Sequence, residues 1–297
     1  MGNLSRKEFD LLNALISSKG KTSQRRLEEL TGYSLSTVNR TMRELAAKEL
    51  VDDQGITMHG LAAMEPYAAK RAVFVAAGFG SRMVPVTLNT PKPLVRVNGK
   101  RIIDGLLDAC LAAGIDEIYI VRGYLAEQFD QLLYKYPMIH FLENPAYNDA
   151  NNISSAVCAR YLLQNAYVFE ADLVISNPSI VTKYHYTSDF LGIHMERSDD
   201  WCFTVKNGLI TEQKVGGLDV YQEVGISYWD EEAGRKLADD LKAAYEMPGG
   251  KERYWDQVPF SIFPEHYQVE VRPCQSSDII EIDSFKELKA IDKTYDV

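Results

Sequence analysis

Hydrophobic side chains follow two different spacings along the chain. In the first part, apolar residues recur at helical spacing over residues 5–18, 23–30 and 34–49. Residues 50–57 then predict a small hairpin. In the second part, short continuous apolar runs alternate with amphipathic stretches, which is typical of strands buried on both faces and of the helices that cover them.

The first part, residues 1–69, resembles a winged helix-turn-helix domain, because three predicted helices precede the hairpin. A turn at 19–21 is predicted to end the first helix. In that resemblance residues 34–49 contain the helix that enters the major groove of DNA. That helix would present Ser36, Thr37, Asn39, Arg40 and Arg43. The domain has nine Lys/Arg and nine Asp/Glu, so a protein-interaction or spacer role remains open beside DNA binding.

The second part, residues 70–297, is predicted to form a mostly parallel, Rossmann-like α/β sheet with helices on both faces. Residues 201–228 predict a small antiparallel part, namely three short strands with a turn at 216–217. Helices are predicted over 124–134 and 251–257 among others. In such sheets, ligands gather at the carboxyl ends of the strands. The predicted parallel strands span residues 72–76, 117–121, 139–142 and 167–170.

A glycine loop follows the first buried strand of the second part. Gly78 and Gly80 come directly after it, with Arg82 and Lys92 close behind. Glycines let a backbone approach an anion, and Arg and Lys supply positive charge, so the loop is typical of a phosphate cradle. The glycine pair alone fits a steric turn equally well. The expected nucleotide contacts of this loop are Ala76, Ala77, Gly78, Gly80, Ser81 and Arg82.

The net charge of -10 belongs to residues 70–297, which hold 23 Lys/Arg and 33 Asp/Glu. A domain this acidic needs cations to bind phosphates, so Mg²⁺ is expected. No apolar run approaches the roughly 20 residues that span a bilayer, and the N-terminus lacks a signal-peptide pattern. These features predict a cytoplasmic protein without membrane contact. The four cysteines lie far apart, which favours buried free thiols.

Asp172 and Asp283 each follow a predicted buried strand, so both are expected at the ligand edge of the sheet. Two carboxylates from separate strands suit a Mg²⁺ ion that bridges phosphate oxygens. The alternatives are a turn at Asp172 and a helix cap beside Asp283, because residues 284–287 have the capping-box pattern.

Two further segments are expected at the same edge. Asn152 and Ser154 precede a predicted helix, so they are candidates for binding phosphate, ribose or base, although capping explains them as well. Gly123 and Tyr124 follow another predicted strand and are expected to lie against the nucleotide base.

Aromatic residues gather in the second half of the chain. Trp201, Tyr254 and Trp255, with Asp256 next to them, are candidates for a site that binds a quaternary ammonium. Cation–π attraction and a nearby carboxylate both favour such a group. The alternatives for these rings are stacking against a sugar and burial in the core.

Eight strings follow one another in the second part: A-A-G-F-G-S-R, T-P-K-P-L-V, G-Y-L-A-E-Q-F, N-N-I-S-S, E-A-D, G-I-S-Y-W-D, Y-W-D and E-I-D-S. Over about three quarters of the chain they resemble the nucleotidyltransferases, and among these the bacterial CTP:phosphocholine cytidylyltransferases. The resemblance implies that Arg82 and Lys92 hold the triphosphate and the leaving pyrophosphate. It further implies that Asp172 and Asp283 bind Mg²⁺, and that the aromatic residues and Asp256 surround the choline head.

The implied reaction transfers CMP from CTP to phosphocholine, giving CDP-choline and pyrophosphate. Another phosphorylated or phosphonylated amine, such as aminoethylphosphonate, or a sugar phosphate is the alternative acceptor. A primary amine needs more hydrogen-bond acceptors and fewer aromatic faces than a trimethylammonium does. A DNA-binding transcriptional regulator that senses a nucleotide or choline metabolite is the alternative from another class. The chain departs from the family at Glu170, where a second aspartate is common, and in its winged helix. Its oligomeric state stays open.

Overall fold

A computed structural model describes residues 3–18 and 22–296. The chain divides into two compact units, Met1–Ala68 and Ala69–Val297. Within the described residues, no helix has both the length and the apolar character needed to cross a membrane. The predicted turn at 19–21 lies outside the described residues.

The first unit has the predicted order of a winged helix-turn-helix. Serine side chains cap its first three helices, because Ser5, Ser23 and Ser34 each accept a hydrogen bond from a backbone N–H of the first turn. Gly32, at a φ of 70°, ends the second helix in the left-handed conformation. The elements are α1 (Arg6–Ser17), α2 (Gln24–Thr31), α3 (Leu35–Ala47), β1 (Val51–Asp52), β2 (Gly55–Ile56) and α4 (Met58–Met64).

The second unit is an α/β structure. Its strands are β3 (Arg71–Val75), β4 (Arg96–Val97), β5 (Lys100–Arg101), β6 (Glu117–Arg122), β7 (Ile139–Glu143), β8 (Ala166–Glu170), β9 (Leu173–Ile175), β10 (Asp189–Lys206), β11 (Leu209–Trp229), β12 (Glu270–Cys274) and β13 (Ile279–Glu281). Its α-helices are α5 (Ile102–Ala112), α6 (Ile153–Ala159), α7 (Glu231–Glu246) and α8 (Phe285–Ile291).

Four parallel strands form one side of a seven-stranded sheet, in the order β7, β6, β3, β8 with β7 at the edge. Val73 of β3 pairs with Tyr119 of β6 on one side and with Val168 of β8 on the other. β11 runs antiparallel to β8, and β10 and β12 complete the sheet. The predicted mostly parallel sheet with a small antiparallel part is therefore confirmed. The carboxyl ends of β3 and β8 lie at one edge.

Apolar side chains cover both faces of this sheet, because neighbouring residues of a strand point to opposite sides. Phe74 belongs to one core together with Leu106 of α5. Val73 belongs to the other core together with Ile153 of α6 and Leu237 of α7. Burial on both faces explains the continuous apolar run of β3.

The antiparallel part differs from the prediction. Instead of three short strands, β10 and β11 form one long hairpin with several irregular pairings. Phe203 of β10 pairs with Gln213 and also with Tyr221, so β11 flanks β10 on two sides. The predicted turn at 216–217 is a bend inside β11, where Gly216 has a φ of 73°.

One predicted helix is wrong, and another is present but is not an α-helix. Residues 251–257 contain the end of a short 3₁₀ turn, Gly250–Glu252, and then a loop. The backbone of that loop bonds to another segment, since the N–H of Asn151 donates to the carbonyl of Lys251 at 2.7 Å. Ala126–Tyr134 is a 3₁₀ helix rather than an α-helix.

A buried ion pair joins three strands of the sheet. Arg272 of β12 donates from Nε to Oδ1 of Asp189 on β10 at 2.9 Å and from Nη2 to the hydroxyl of Tyr167 on β8 at 3.3 Å. His185 Nδ1 lies 2.5 Å from the other carboxylate oxygen. Burial alone would raise the pKa of Asp189, but Arg272 and His185 lower it to about 2. The ionised carboxylate therefore helps to hold β10 and β12 against β8, the nearest of the four parallel strands.

We expect Asp189→Asn to lower the free energy of unfolding by about 3–5 kcal/mol at pH 7, because Arg272 is then buried without its counter-charge. The folded-state pKa of Asp189 lies below the ordinary value of about 3.9. The stabilisation is therefore present above that value and is lost as the pH falls towards 2. Urea unfolding at pH 7 and pH 3 measures both effects. Asp199→Asn, at an exposed position of the same strand, is the control; an equal loss in both variants would contradict the prediction.

Candidate active site

The carboxyl ends of β3 and β8 open into a cleft of about 530 Å³ within the second unit. The loop after β3, the turn after β8, the residues after β13 and the β10–β11 hairpin all contribute to its wall. Seven carboxylates line the cleft, and Arg82 and Lys92 are the cationic side chains among its described lining residues. The carboxylates belong to Glu170, Asp172, Asp200, Glu223, Asp256, Glu281 and Asp283.

The predicted glycine loop lies at the floor of this cleft. Gly80 has a φ of 62°, and a Cβ there would lie 3.0 Å from the Cβ of Lys92 and 3.1 Å from Thr87 Cγ2. A glycine at this position therefore permits both the turn and the close approach of the Lys92 segment. A Cβ at Gly78 would meet nothing within 4 Å, so the space above it is open. The predicted loop residues that line the cleft are Ala76, Ala77, Gly78, Gly80, Ser81 and Arg82.

Lys92 links two carboxylates across the cleft. It begins the short 3₁₀ turn Lys92–Leu94, and its Nζ lies 2.8 Å from Asp172 Oδ2 and 3.0 Å from Asp283 Oδ1. Arg82 donates to the same oxygen of Asp283 at 2.8 Å and remains largely exposed. Burial alone would lower the pKa of Lys92, but the charges of Asp172 and Asp283 raise it above its ordinary value. Lys92 is therefore a fixed cation rather than a base.

A group of three carboxylates has the spacing of a metal site. Each of these residues contributes one carboxylate oxygen, and the three oxygens all lie within 4.8 Å of one another. The residues are Glu170, Asp172 and Glu281. Asp172 Oδ1 is buried and, among the described residues, has no hydrogen-bond partner. An unpaired buried carboxylate oxygen beside two further carboxylates suits a hard cation such as Mg²⁺.

The predicted metal pair is only partly reproduced by this group. Asp172 belongs to it, whereas Asp283 lies beside it and bonds to Lys92 and Arg82. The capping box next to Asp283 is also present, because Ser284 accepts from the N–H of Glu287. Both proposed roles of this segment are therefore compatible with its geometry.

The other two carboxyls of the group, Glu170 and Glu281, have raised pKa values because they are desolvated and lie close to other carboxylates. Burial, with the charges of Asp172 and Asp256, raises the pKa of Glu170 well above its ordinary value. Glu281 opens to the cleft, yet desolvation by the surrounding protein, with the charges of Asp172 and Asp283, raises its pKa to about 8. A bound cation would relieve this repulsion.

Asn152 and Ser154 line the cleft, and their side chains bond to the protein. Asn152 donates from Nδ2 to Oε1 of Glu170 at 3.2 Å, and its Oδ1 accepts from the N–H of Trp255 at 2.9 Å. The Ser154 hydroxyl donates to the carbonyl of Asn151 at 2.8 Å. Asn152 thus connects the end of β8 with the loop that carries the predicted aromatic residues.

Gly123 and Tyr124 do not line the cleft. A Cβ at Gly123 would come within 2.7 Å of the Tyr147 side chain, so the glycine makes room for that ring. Tyr124 donates from its hydroxyl to the carbonyl of Thr87 at 3.0 Å. The rings that do line the cleft here are Phe79 and Tyr147, with centroids 5.4 Å apart.

The predicted aromatic group is divided between cleft and core. The rings of Trp201 and Tyr254 lie 6.0 Å apart at 70°, and both line the cleft. Trp255 is 1% exposed and packs against Phe190 and Trp229, with ring centroids 6.2 and 6.1 Å away. Two aromatic faces are therefore available to a ligand where three were predicted.

A pair of carboxyl groups lies in the same wall as these rings. Asp256, predicted for this role, is 7% exposed, and Gln213 donates from Nε2 both to it and to Glu223, the latter at 2.9 Å. Burial, with the charge of Asp256, raises the pKa of Glu223 well above its ordinary value. Burial also raises the pKa of Asp256. A cationic ligand would stabilise the ionised forms of this pair.

Sequence reasoning missed several lining residues. Phe79 lies within the A-A-G-F-G-S-R string, so the sequence could have predicted its position in the cleft. Glu223 and Asp200 carry no such signal, because the irregular pairing of β10 with β11 brings them to the cleft.

Two family models match the chain, Nucleotidyl transferase over residues 71–209 and MarR family over residues 3–55. A relative, the 2-aminoethylphosphonate cytidylyltransferase of Lancefieldella rimae, is 37% identical over 228 residues, covering 75% of this chain and 92% of the relative. The choline-phosphate cytidylyltransferase of Streptococcus pneumoniae is 29% identical over 228 residues, covering 75% of this chain and 97% of the relative.

Solved structures agree with these matches. The CTP:phosphocholine cytidylyltransferase from Streptococcus pneumoniae has a TM-score of 0.68 at 29% identity, over 75% of this chain and 98% of that one. The inositol-1-phosphate CTP transferase from T. maritima has a TM-score of 0.62 at 16% identity, over 77% and 94%, and shows the fold alone. The chain belongs to the nucleotidyl transferase family, with cytidylyltransferases among its relatives and a MarR-type winged helix at its N-terminus.

Proposed function

We propose that this chain transfers CMP from CTP to a small phosphonylated or phosphorylated amine, with 2-aminoethylphosphonate as the first candidate and phosphocholine as the second. The carboxyl pair Glu223 and Asp256 is the observation that carries this proposal. It offers hydrogen-bond acceptors to an ammonium, next to two of the three predicted aromatic faces, Trp201 and Tyr254. A primary ammonium has three N–H donors for such acceptors, whereas a trimethylammonium has none.

The relatives support both candidates. The 37% identical relative is a 2-aminoethylphosphonate cytidylyltransferase, and choline-phosphate cytidylyltransferases are 29% and 30% identical. The prediction of phosphocholine used three aromatic faces, and the burial of Trp255 weakens that argument. The choice of 2-aminoethylphosphonate as the first candidate therefore rests on the hydrogen-bond acceptors of Glu223 and Asp256.

The proposed reaction is an in-line displacement at phosphorus. An oxygen of the phosphonate attacks the α-phosphorus of CTP, a P–O bond forms, and the bond to the bridging oxygen of the β-phosphate breaks. Pyrophosphate leaves with that electron pair, so no protein nucleophile is required. Lys92 and Arg82 would align the two anions and compensate the charge that moves to the leaving group.

Glu170, Asp172 and Glu281 would hold Mg²⁺, which would supply further positive charge for the phosphates when bound. Phe79 is 44% exposed and, with Tyr147, would flank the nucleotide base. The backbone N–H groups after β3, in the Gly78–Gly80 loop, would face the phosphates.

We expect pyrophosphate release with CTP and 2-aminoethylphosphonate in a panel that combines CTP, UTP, dTTP and ATP with that acceptor, phosphocholine and glucose 1-phosphate. The value of kcat/KM should be highest for 2-aminoethylphosphonate, lower for phosphocholine and near background for the sugar phosphate. Coupled detection of pyrophosphate with Mg²⁺ present measures each pair. Turnover of glucose 1-phosphate above both amines, or no release with any pair, would contradict the proposal.

We expect Lys92→Ala to reduce kcat by about 10²–10³, because a preorganised cation next to the reacting phosphates is lost. The change also leaves Asp172 and Asp283 without their shared partner, so thermal unfolding is measured alongside turnover. Lys100→Ala, which alters an exposed surface lysine, is the control and should keep normal kcat. Near-normal turnover of a folded Lys92→Ala protein would remove Lys92 from the mechanism.

We further propose that the first unit binds DNA through residues 34–49. The MarR family match and the exposed side chains of Ser36, Arg40 and Arg43 on α3 favour this role. The unit carries equal numbers of basic and acidic residues, which opposes tight binding to DNA. Arg40 Nε also lies 3.9 Å from Glu44 Oε1, so part of its charge is compensated within the helix. Phosphate contacts made by Arg40 and Arg43 would weaken as the salt concentration rises.

We expect the full-length chain to shift selected genomic fragments in a mobility assay at low salt. Arg43→Ala should reduce the slope of log K against log salt by about 1, because one phosphate contact is lost. Lys7→Ala on α1 serves as the control and should leave the slope unchanged. Absence of any shift at 50 mM salt, or equal slopes for both variants, would favour a protein-interaction role.

A further inference from the structure

Gln213 lies behind the cleft wall, next to two of the residues that line it. It is 7% exposed, lies on β11 and pairs with Phe203 of β10. Its Nε2 donates to Oε2 of Glu223 at 2.9 Å and to Oδ2 of Asp256. Its Oε1 accepts from the hydroxyl of Ser261 at 3.5 Å. Both ends of the amide are therefore bound to neighbouring side chains.

The hydrogen-bond chemistry of this amide fits its two partners. Carboxylates accept and an NH₂ group donates two protons, so one amide nitrogen can hold two carboxyl groups side by side. A lysine or arginine in this place would also donate twice, but its charge would neutralise the pair. A glutamine orders Glu223 and Asp256 without cancelling the charge that a ligand can use.

The pair held in this way faces the cleft next to Trp201 and Tyr254. Each carboxyl keeps a second oxygen that does not bond to Gln213, and the two carboxyl groups also hydrogen-bond to each other, so a bound ammonium would take the place of the proton that they share. Two such acceptors at fixed separation suit a primary ammonium, which forms directional N–H bonds. A trimethylammonium is attracted by charge and by the aromatic faces, so the exact placement of the carboxyl oxygens matters less to it.

We infer that Gln213 is a positioning residue that sets the acceptor selectivity of this cleft, by holding Glu223 and Asp256 in the arrangement that an N–H-bearing ammonium requires. The inference rests on the proposed transfer of CMP to an amine. Gln213 is not among the described residues that line the cleft, so it acts through the two carboxyls.

The test compares Gln213→Met, which keeps the length of the side chain and removes both donors, with the unaltered chain. We expect KM for 2-aminoethylphosphonate to rise by about tenfold or more, as for the loss of ordered charge-assisted hydrogen bonds. KM for CTP should stay within about twofold, and KM for phosphocholine should change by less than about threefold. The selectivity ratio between the two acceptors therefore moves towards phosphocholine.

Gln222→Met is the matched control, because Gln222 lies on the same strand and also outside the cleft lining, but its side chain accepts from Ser198 at 3.2 Å instead of donating to Glu223 and Asp256. It should leave both acceptor KM values unchanged. An unchanged selectivity ratio in a folded, active Gln213→Met protein would overturn the inference and leave the proposed function intact. No turnover of either amine by the unaltered chain would instead overturn the proposed function, and the inference with it.

A second measurement needs no variant. In a series of 2-aminoethylphosphonates with zero to three N-methyl groups, the unaltered chain should lose kcat/KM with each N–H that is removed. A flat series, or a series that rises with methylation, would overturn the inference even if Gln213→Met failed to fold.

Discussion

The excess of negative charge in the cleft is the constraint on which its other features depend. Seven carboxylates face two cationic side chains, although the chain belongs to a family of nucleotidyl transferases. Lys92 bonds to Asp172 and Asp283 and so compensates part of this charge, while the pKa values of Glu170 and Glu281 remain raised. Such a cleft gains most from ligands that bring positive charge, and a divalent metal or an ammonium group supplies it.

Neutral amides order this acidic wall without reducing its charge. Asn152 joins Glu170 to the backbone of Trp255, and Gln213 joins Glu223 to Asp256. Each amide satisfies a buried carboxyl oxygen with a hydrogen bond, which avoids the cost of leaving that oxygen unpaired. Because the amides carry no charge, the attraction of the wall for a cation is preserved.

Local sequence patterns predicted most of the fold but only part of the candidate site. Buried runs such as β3 and capping serines such as Ser34 depend on neighbours in sequence, and they were predictable. The loop at 251–257 is shaped by hydrogen bonds to Asn151 and Asn152, about a hundred residues away in the sequence. The spacing of its own residues therefore predicted a helix that does not form. The same limit applies to the predicted quaternary-ammonium site. The sequence places Trp255 beside Tyr254, but neighbouring residues point in different directions, and packing against Phe190 decides that Trp255 is the buried one.

The arrangement of charges in the cleft also suggests how the proposed enzyme would distinguish an aminoalkylphosphonate from a sugar phosphate. An aminoalkylphosphonate carries an anion at one end and a cation at the other. The cleft has a cationic group in Lys92 and Arg82 and an acidic group in Glu223 and Asp256. A sugar phosphate matches the cationic group alone, so its binding would bury the acidic pair without a counter-charge. In the proposed function, the acidic pair would therefore select against acceptors that lack a cationic end as well as attract those that have one.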